Sequence, residues 1–119
     1  MRGLTIIVAA ADPDRFHAAL SVAAANAALD GRTRIFLQGE SAALMLDASS
    51  PLDAYRSSSG VPTTQQLLAE AQALGTQIIV CQSGLTSCGM SADRLPDNAR
   101  TAGLIEILTT LGEDRLVMA

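Results

Sequence analysis

Hydrophobic positions along the chain alternate between short continuous runs and helix-spaced stripes. Residues 4–10 are continuously apolar and β-branched in their middle, which is typical of a parallel strand covered on both faces. Residues 33–37 and 77–81 repeat this pattern, and residues 115–118 predict a terminal strand. We therefore expect a parallel sheet of at least four strands, with the strand at 4–10 in its centre and the C-terminal strand at one edge.

Helical patterns separate these strands. Asp12 is placed to cap a helix with Pro13 in its first turn, and Gly31 marks the end of that helix. Thr63 and Gln66 have the spacing of a capping box, which predicts a further helix. In all, the sequence predicts helices or helical turns over about residues 13–30, 41–46, 63–74, 91–95 and 102–111.

The stretch from Asp47 to Pro62 is rich in Ser, Pro and Gly and is predicted to be a surface loop. It carries Arg56 and Tyr55, the single tyrosine of the chain. Loops of this length are often functional, so these two side chains are candidates to cover a pocket or hold an anion. A solvated loop, or one that contacts another subunit, is the alternative.

Strands that alternate with helices predict a three-layer α/β fold, in which helices cover both faces of a parallel sheet of four to five strands. The 119 residues correspond to a single domain, 1–119. Ligands of such sheets bind outside the carboxyl ends of the strands, at the point where the strand order reverses. We expect that edge to gather Asp12, residues 38–40 (Gln38, Gly39, Glu40), residues 81–84 and part of the loop at 47–62.

Composition and charge argue against several classes of function. All eight basic residues are Arg, which excludes Schiff-base and P-loop lysine chemistry. The net charge of −4, without a basic run, argues against nucleic-acid binding. No apolar run approaches the ~20 residues that span a bilayer, so no membrane partner is expected, and residues 1–11 are interpreted as a buried strand and not as a signal peptide. Two cysteines and one histidine without zinc spacing predict no metal or cofactor and fit a reducing, cytoplasmic setting.

Cys81 is the foremost candidate for chemistry. It ends the third strand, and the N–H groups at the start of a following helix would favour its thiolate. A buried core cysteine is the alternative interpretation. If residues 82–88 are helical, Cys81 and Cys88 lie ~10 Å apart, beyond the ~7 Å that a disulfide allows. Cys88 is therefore predicted to be a packing residue.

The remaining polar candidates have simpler explanations. His17 lies near the same edge of the sheet and is a conceivable general base, although a surface histidine is the favoured interpretation. Capping explains Asp12, and a position at a helix start explains Glu40. Asp53 is the third acid that would lie near the site.

Several short motifs follow one another along the chain: Cys81-Gln82-Ser83-Gly84-Leu85, Gly89-Met90, Ala102-Gly103 and Asp114-Arg115-Leu116-Val117. Their order resembles that of the DsrE/DsrF-like family, and the likeness extends over nearly the whole chain, including Gly60-Val61-Pro62-Thr63 and Gly75. Within that family, the overall character of the sequence is similar to the branch labelled predicted peroxiredoxin. The resemblance implies a small flavodoxin-like sheet that assembles into homo-oligomers.

In the sulfur-relay members of that family, a cysteine after the third strand carries a persulfide and passes sulfur to a protein partner, and Cys81 matches that cysteine. Relay members often carry basic residues just after it, whereas residues 82–89 are uncharged here. Two functions stay open. Cys81 would be the catalytic thiol of a sulfurtransferase-like carrier, or the chain would be a non-catalytic homo-oligomeric module for ligand binding or assembly. The candidate substrate-binding residues are Asp12, Gln38, Gly39, Tyr55, Arg56, Gln82, Ser83 and Gly84.

Overall fold

The computed structural model describes residues 2–119 and forms one sheet from five strands. The strands run in the order β4-β3-β2-β1-β5, and every neighbouring pair is parallel. The α/β fold with a parallel sheet is thus confirmed. The strands are β1 (Leu4–Val8), β2 (Thr33–Leu37), β3 (Gln77–Cys81), β4 (Ala99–Ala102) and β5 (Arg115–Met118).

Helices connect the strands, and those that follow Asp12 and Thr63 begin where these capping residues predict. The Asp12 carboxylate accepts hydrogen bonds from the N–H groups of Asp14 and Arg15, at 2.9 and 3.3 Å. The capping box of Thr63 and Gln66 is present in both directions. The helices are α1 (Pro13–Ala28), α2 (Asp53–Ser58), α3 (Thr64–Ala73), α4 (Gln82–Ser87) and α5 (Leu104–Thr109), with 3₁₀ helices at Gly39–Met45 and Ala92–Arg94.

The direction of the connections gives the sheet two unequal faces. From β1 to β4 the chain steps three times in one direction, whereas β5 returns to the far side of β1. Because parallel crossovers are right-handed, the return connection lies on the opposite face from the others. Accordingly α1 and α3 pack over the larger apolar cluster, and α5 covers a smaller cluster whose largest buried residues are Ile7, Phe36, Ile79 and Ile107.

A buried charge network ties α5 to the amino ends of the strands. The Arg34 side chain is 2% exposed and lies 3.7 Å from the Asp114 carboxylate. Its guanidinium donates to the hydroxyls of Thr5 and Thr110, at 3.0 and 2.8 Å, and Thr5 donates to Asp114 at 2.8 Å. Burial, aided by the nearby charge of Arg32, lowers the pKa of Arg34, and Asp114 opposes that shift. The network thus links β1, β2, the end of α5 and Asp114, the residue that precedes β5.

Two positions in the sheet differ from the sequence-based expectation. The C-terminal strand does lie at an edge, but β2 is the central strand and β1 lies second from the edge. The cause is β4, which the sequence did not predict because Ala99-Arg100-Thr101-Ala102 has no apolar run and only Ala102 is buried.

The segment at 47–62 also differs, because it contains α2 where a continuous loop was expected. No residue of α2 is buried, so this helix has no apolar stripe that sequence periodicity could detect. The predicted helix at 102–111 is shorter than expected, since Ala102 still belongs to β4 and Gly103 caps α5.

We expect Asp114→Asn to lower the free energy of unfolding by about 3 kcal/mol, because it leaves Arg34 buried without a full counter-charge. Glu106→Gln is the matched control, since the Arg100–Glu106 pair is 50% exposed on both sides and an exposed pair contributes at most about 1 kcal/mol. Urea unfolding of the two variants measures the difference. Equal losses would show that the buried network is not a major source of stability.

Candidate functional site

Cys81 lies where β3 ends and α4 begins. It is the last residue of the strand and also the N-cap of α4, with an extended backbone. Its side chain belongs to the smaller apolar cluster, together with Ile79 and Ala102, so the thiol lies on the α5 face of the sheet. The residue is 6% exposed. Its side chain is therefore largely enclosed.

Hydrogen-bond donors surround the sulfur of Cys81. The N–H of Gly84 donates to Sγ at 3.4 Å, and the Ser83 hydroxyl lies 3.3 Å from it. The backbone N–H groups of Ser83 and Gly39 also lie near enough to the sulfur to favour its ionised form. The first turn of α4 and the turn after β2 thus converge on one atom.

These donors favour the ionised thiol. Burial opposes ionisation and is the largest single influence, but the hydrogen bonds of Ser83, Gly39 and Gly84 together outweigh it and lower the pKa of Cys81. Because the thiolate is the nucleophilic form, the arrangement activates the sulfur. It does so with uncharged groups, in keeping with the absence of charged residues between 82 and 89.

The position of the Gly39 N–H depends on a close approach between two glycines. A Cβ atom on Gly84 would overlap the carbonyl oxygen of Gly39. Gly39 itself has φ +58°, a conformation that favours glycine. The turn after β2 therefore packs directly against the α4 backbone, which brings the Gly39 N–H near enough to Cys81 to favour the ionised thiol.

The structure brings Gly39, Ser83 and Gly84 to Cys81, as expected from the sequence. Gln82 is the exposed first residue of α4. Gln38 joins the same edge through its backbone, which donates to the carbonyl of Val8 at 3.0 Å. The Asp12 carboxylate caps α1.

The two candidates from the 47–62 segment lie on α2 and differ in their surroundings. Tyr55 is 72% exposed. The Arg56 side chain is 12% exposed and forms ion pairs with Asp14 and Asp53, both at 3.1 Å. Two carboxylates therefore already neutralise the charge that an anionic ligand would need from Arg56. Asp53, a candidate acid, instead holds α2 to the start of α3 through the N–H of Thr64.

His17 and Cys88 also have structural partners. The Nε2 atom of His17 lies 3.0 Å from the carbonyl oxygen of Pro62, so this nitrogen carries a proton and donates. Cys88 packs against the larger apolar cluster, and its sulfur lies 3.9 Å from the Glu40 carbonyl. Cys81 packs in the smaller cluster on the other face of the sheet. Both cysteines are free.

The site lies where the connections change from one face of the sheet to the other. The connection after β3 runs through α4 on the α1 face, whereas the connection after β4 runs through α5 on the opposite face. Cys81 ends β3 and pairs with Ala102, the last residue of β4. The sequence could not reveal this neighbour, because it did not predict β4. Cys81 therefore lies at the point where open sheets form a crevice for ligands, between connections that leave adjacent strands on opposite faces.

Two features are absent from residues 2–119, a membrane-spanning helix and a cluster of metal-ligating side chains. None of their helices is both long and apolar enough to cross a membrane. Within the same part of the chain, no group of three His, Cys, Asp or Glu side chains is arranged to hold a metal ion.

The fold and the site define a class of protein. Its members are small parallel α/β domains in which N–H groups surround a thiol at the end of β3. The chain belongs to the DsrE/DsrF-like family, whose model matches residues 3–118. The resemblance inferred from the order of the sequence motifs is thus confirmed.

Comparison with solved structures confirms the fold. The crystal structure of the YchN protein from E. coli is similar to this chain, with a TM-score of 0.73 and 19% sequence identity, and the alignment covers 100% of both chains. No match was found among curated proteins. At this identity, the likeness to YchN establishes the shared fold.

We expect Ser83→Ala to raise the pKa of Cys81, because the variant loses the side-chain hydrogen bond that most favours the thiolate. At neutral pH its iodoacetamide labelling should slow by about threefold to tenfold, and the pH profile should shift upwards. Thr86→Ala is the matched control, since that α4 hydroxyl donates to the Gln82 carbonyl. A Ser83→Ala profile that overlays the Thr86→Ala profile would exclude a role for the Ser83 hydroxyl.

Gly84→Ala is expected to destabilise the fold by about 2 kcal/mol, since the added methyl group must displace the turn that contains Gly39. The same displacement should slow Cys81 labelling. Gly103→Ala serves as the control, because a Cβ there meets no atom within 4 Å. Thermal unfolding and labelling rates check both effects, and a Gly84→Ala protein as stable as Gly103→Ala would contradict the close packing.

Proposed function

We propose that the protein handles sulfur through a persulfide on Cys81. The observation that carries this proposal is the set of donors around Sγ, which lowers the pKa of the thiol despite its burial. Membership in a family related to sulfur relay supports the same chemistry. Gly39, Ser83 and Gly84 would stabilise negative charge on the sulfur, and Gln38 and Gln82 would line the approach to it.

The transfer step requires no redox partner. The Cys81 thiolate attacks the outer sulfur of a donor persulfide, R–S–SH, forming one S–S bond while the donor S–S bond breaks. The donor leaves as its thiolate, R–S⁻, and Cys81 becomes Cys81–S–SH. The same exchange in reverse delivers the sulfur to an acceptor thiolate. The donor and acceptor would be proteins, in a reducing cytoplasmic setting where thiols persist.

A second candidate function follows from the low exposure of Cys81. At 6% exposed, the residue also fits a core cysteine in a non-catalytic module that binds a ligand or supports assembly. In either case we expect homo-oligomers, because apolar residues such as Leu29 and Ile105 are 66% and 83% exposed. Under this second candidate, Asp12, Tyr55 and Arg56 would serve as ligand or subunit contacts.

Intact mass spectrometry after incubation with a persulfide donor separates the two candidates. The sulfur-handling function predicts that the wild type gains the mass of one sulfur atom, because Cys81 is the activated thiol. Cys81→Ser should lose this gain, and Cys88→Ser should keep it as the matched control.

Labelling of the unfolded chain completes the comparison, because it gives the rate for thiols without a structured environment. If the folded protein neither takes up sulfur nor labels faster at neutral pH than its unfolded form, the thiol mechanism is wrong. The module for binding or assembly would then be the better description.

A further inference from the structure

The β5 strand forms an open apolar edge of the sheet. All four of its residues, 115–118, are exposed, and Leu116, Val117 and Met118 are 44%, 41% and 61% exposed. Among residues 2–119, only β1 pairs with this strand. Exposed apolar edge strands with free main-chain groups readily pair with another chain.

The pairing with β1 determines which main-chain groups of β5 are free. The N–H of Arg115 donates to Gly3 and the N–H of Ala119 donates to Ile7, both at 2.9 Å. In a parallel ladder alternate residues bond to one neighbour, so the N–H and C=O groups of Leu116 and Met118 point away from β1. These two residues offer the outer edge a donor and an acceptor each.

The opposite edge of the sheet is better protected against pairing. β4 carries the exposed Arg100, which pairs with Glu106 at 2.8 Å, and none of its four residues is a large apolar one. Charged side chains on edge strands disfavour pairing with other chains. On β5 the sole charged side chain is that of Arg115, at its amino end.

We propose that β5 pairs antiparallel with β5 of a second copy of this chain, about a two-fold axis at Val117. In this register Leu116 of each copy exchanges both of its outward main-chain hydrogen bonds with Met118 of the other. A two-fold axis at any other residue of β5 would leave at least one of the two outward-facing residues of each copy without a hydrogen-bonded partner in the other β5. The two sheets would then form one continuous sheet, with an isologous interface.

The side chains around β5 fit this register. On the α5 face, each Leu116 lies beside Met118 of the other copy, which forms apolar cross-strand pairs. On the α1 face, the two Val117 side chains meet at the axis. There Val117 lines a groove of about 460 Å³ with Val22 and Leu29 of α1, which are 52% and 66% exposed. Both faces of the edge thus present apolar surface that a second copy would bury.

This inference specifies the interface of the self-association in the proposed function, and it does not depend on the chemistry of Cys81. Cross-linking tests the register directly. With Cys81 and Cys88 replaced by Ser, Val117→Cys places its thiol opposite the same residue of the other copy, in a pair whose Cα atoms are ~4.5 Å apart. That separation lies within the disulfide range. Mild oxidation should give a covalent dimer.

Leu52→Cys in the same background is the control, because Leu52 is a similarly exposed apolar residue on the segment at 47–62. Val117→Cys should cross-link at least tenfold faster than Leu52→Cys. Equal rates would overturn the proposed register.

A second pair of variants tests the association itself. Leu116→Lys places like charges at the edge and should weaken the assembly by about tenfold or more. Leu52→Lys is the matched control, at 49% exposure against 44% for Leu116. Light scattering should show a lower mass for Leu116→Lys alone, with unchanged circular dichroism and Cys81 labelling. A monomeric wild type, or a folded Leu116→Lys protein of wild-type mass, would overturn the interface and leave the thiol function unaffected.

Discussion

The contact between the backbones of Gly84 and Gly39 determines the geometry of the candidate site. Parallel strands bring the ends of β2 and β3 to the same edge, but a sheet alone leaves the following turns free to separate. Because Gly84 has no side chain, the turn after β2 rests on the first turn of α4, and Gly39 allows the positive φ of that turn. The N–H of Gly39 then lies near enough to Cys81 to favour the thiolate, to which the N–H of Gly84 already donates.

The order of the strands explains why the two faces of the sheet differ. Three connections run in one direction and a single connection returns, so right-handed crossovers leave the second face to α5, a helix of six residues. The buried pair of Arg34 and Asp114 anchors this short helix where little apolar contact is available. The same topology places β5 at an edge, with apolar side chains uncovered on both of its faces.

Local patterns in the sequence predicted most of the fold, and long-range contacts account for what they missed. The apolar runs of β1, β2 and β3 and the caps at Asp12 and Thr63 are local, and the structure confirms them. The β4 strand and α2 lack apolar periodicity in the sequence. Contacts with residues distant along the chain stabilise them, so no local pattern predicts them. At the site, Cys81 and its helix start could be predicted, whereas the packing of Gly84 on Gly39 joins residues 45 positions apart and leaves no local pattern.

Because the donors around Cys81 are uncharged, they favour its thiolate without adding positive charge that could attract a partner. Arg or Lys beside a thiol would both stabilise the thiolate and attract an acidic partner, and salt would screen that attraction. Here fixed N–H dipoles and the Ser83 hydroxyl stabilise the thiolate, residues 82–89 carry no charge, and the net charge of the chain is −4. The site can therefore ionise its sulfur without steering an anionic partner towards it. Under the proposed sulfur transfer, selection of a protein partner would then depend on surfaces outside the thiol turn, and reactivity would be separate from recognition.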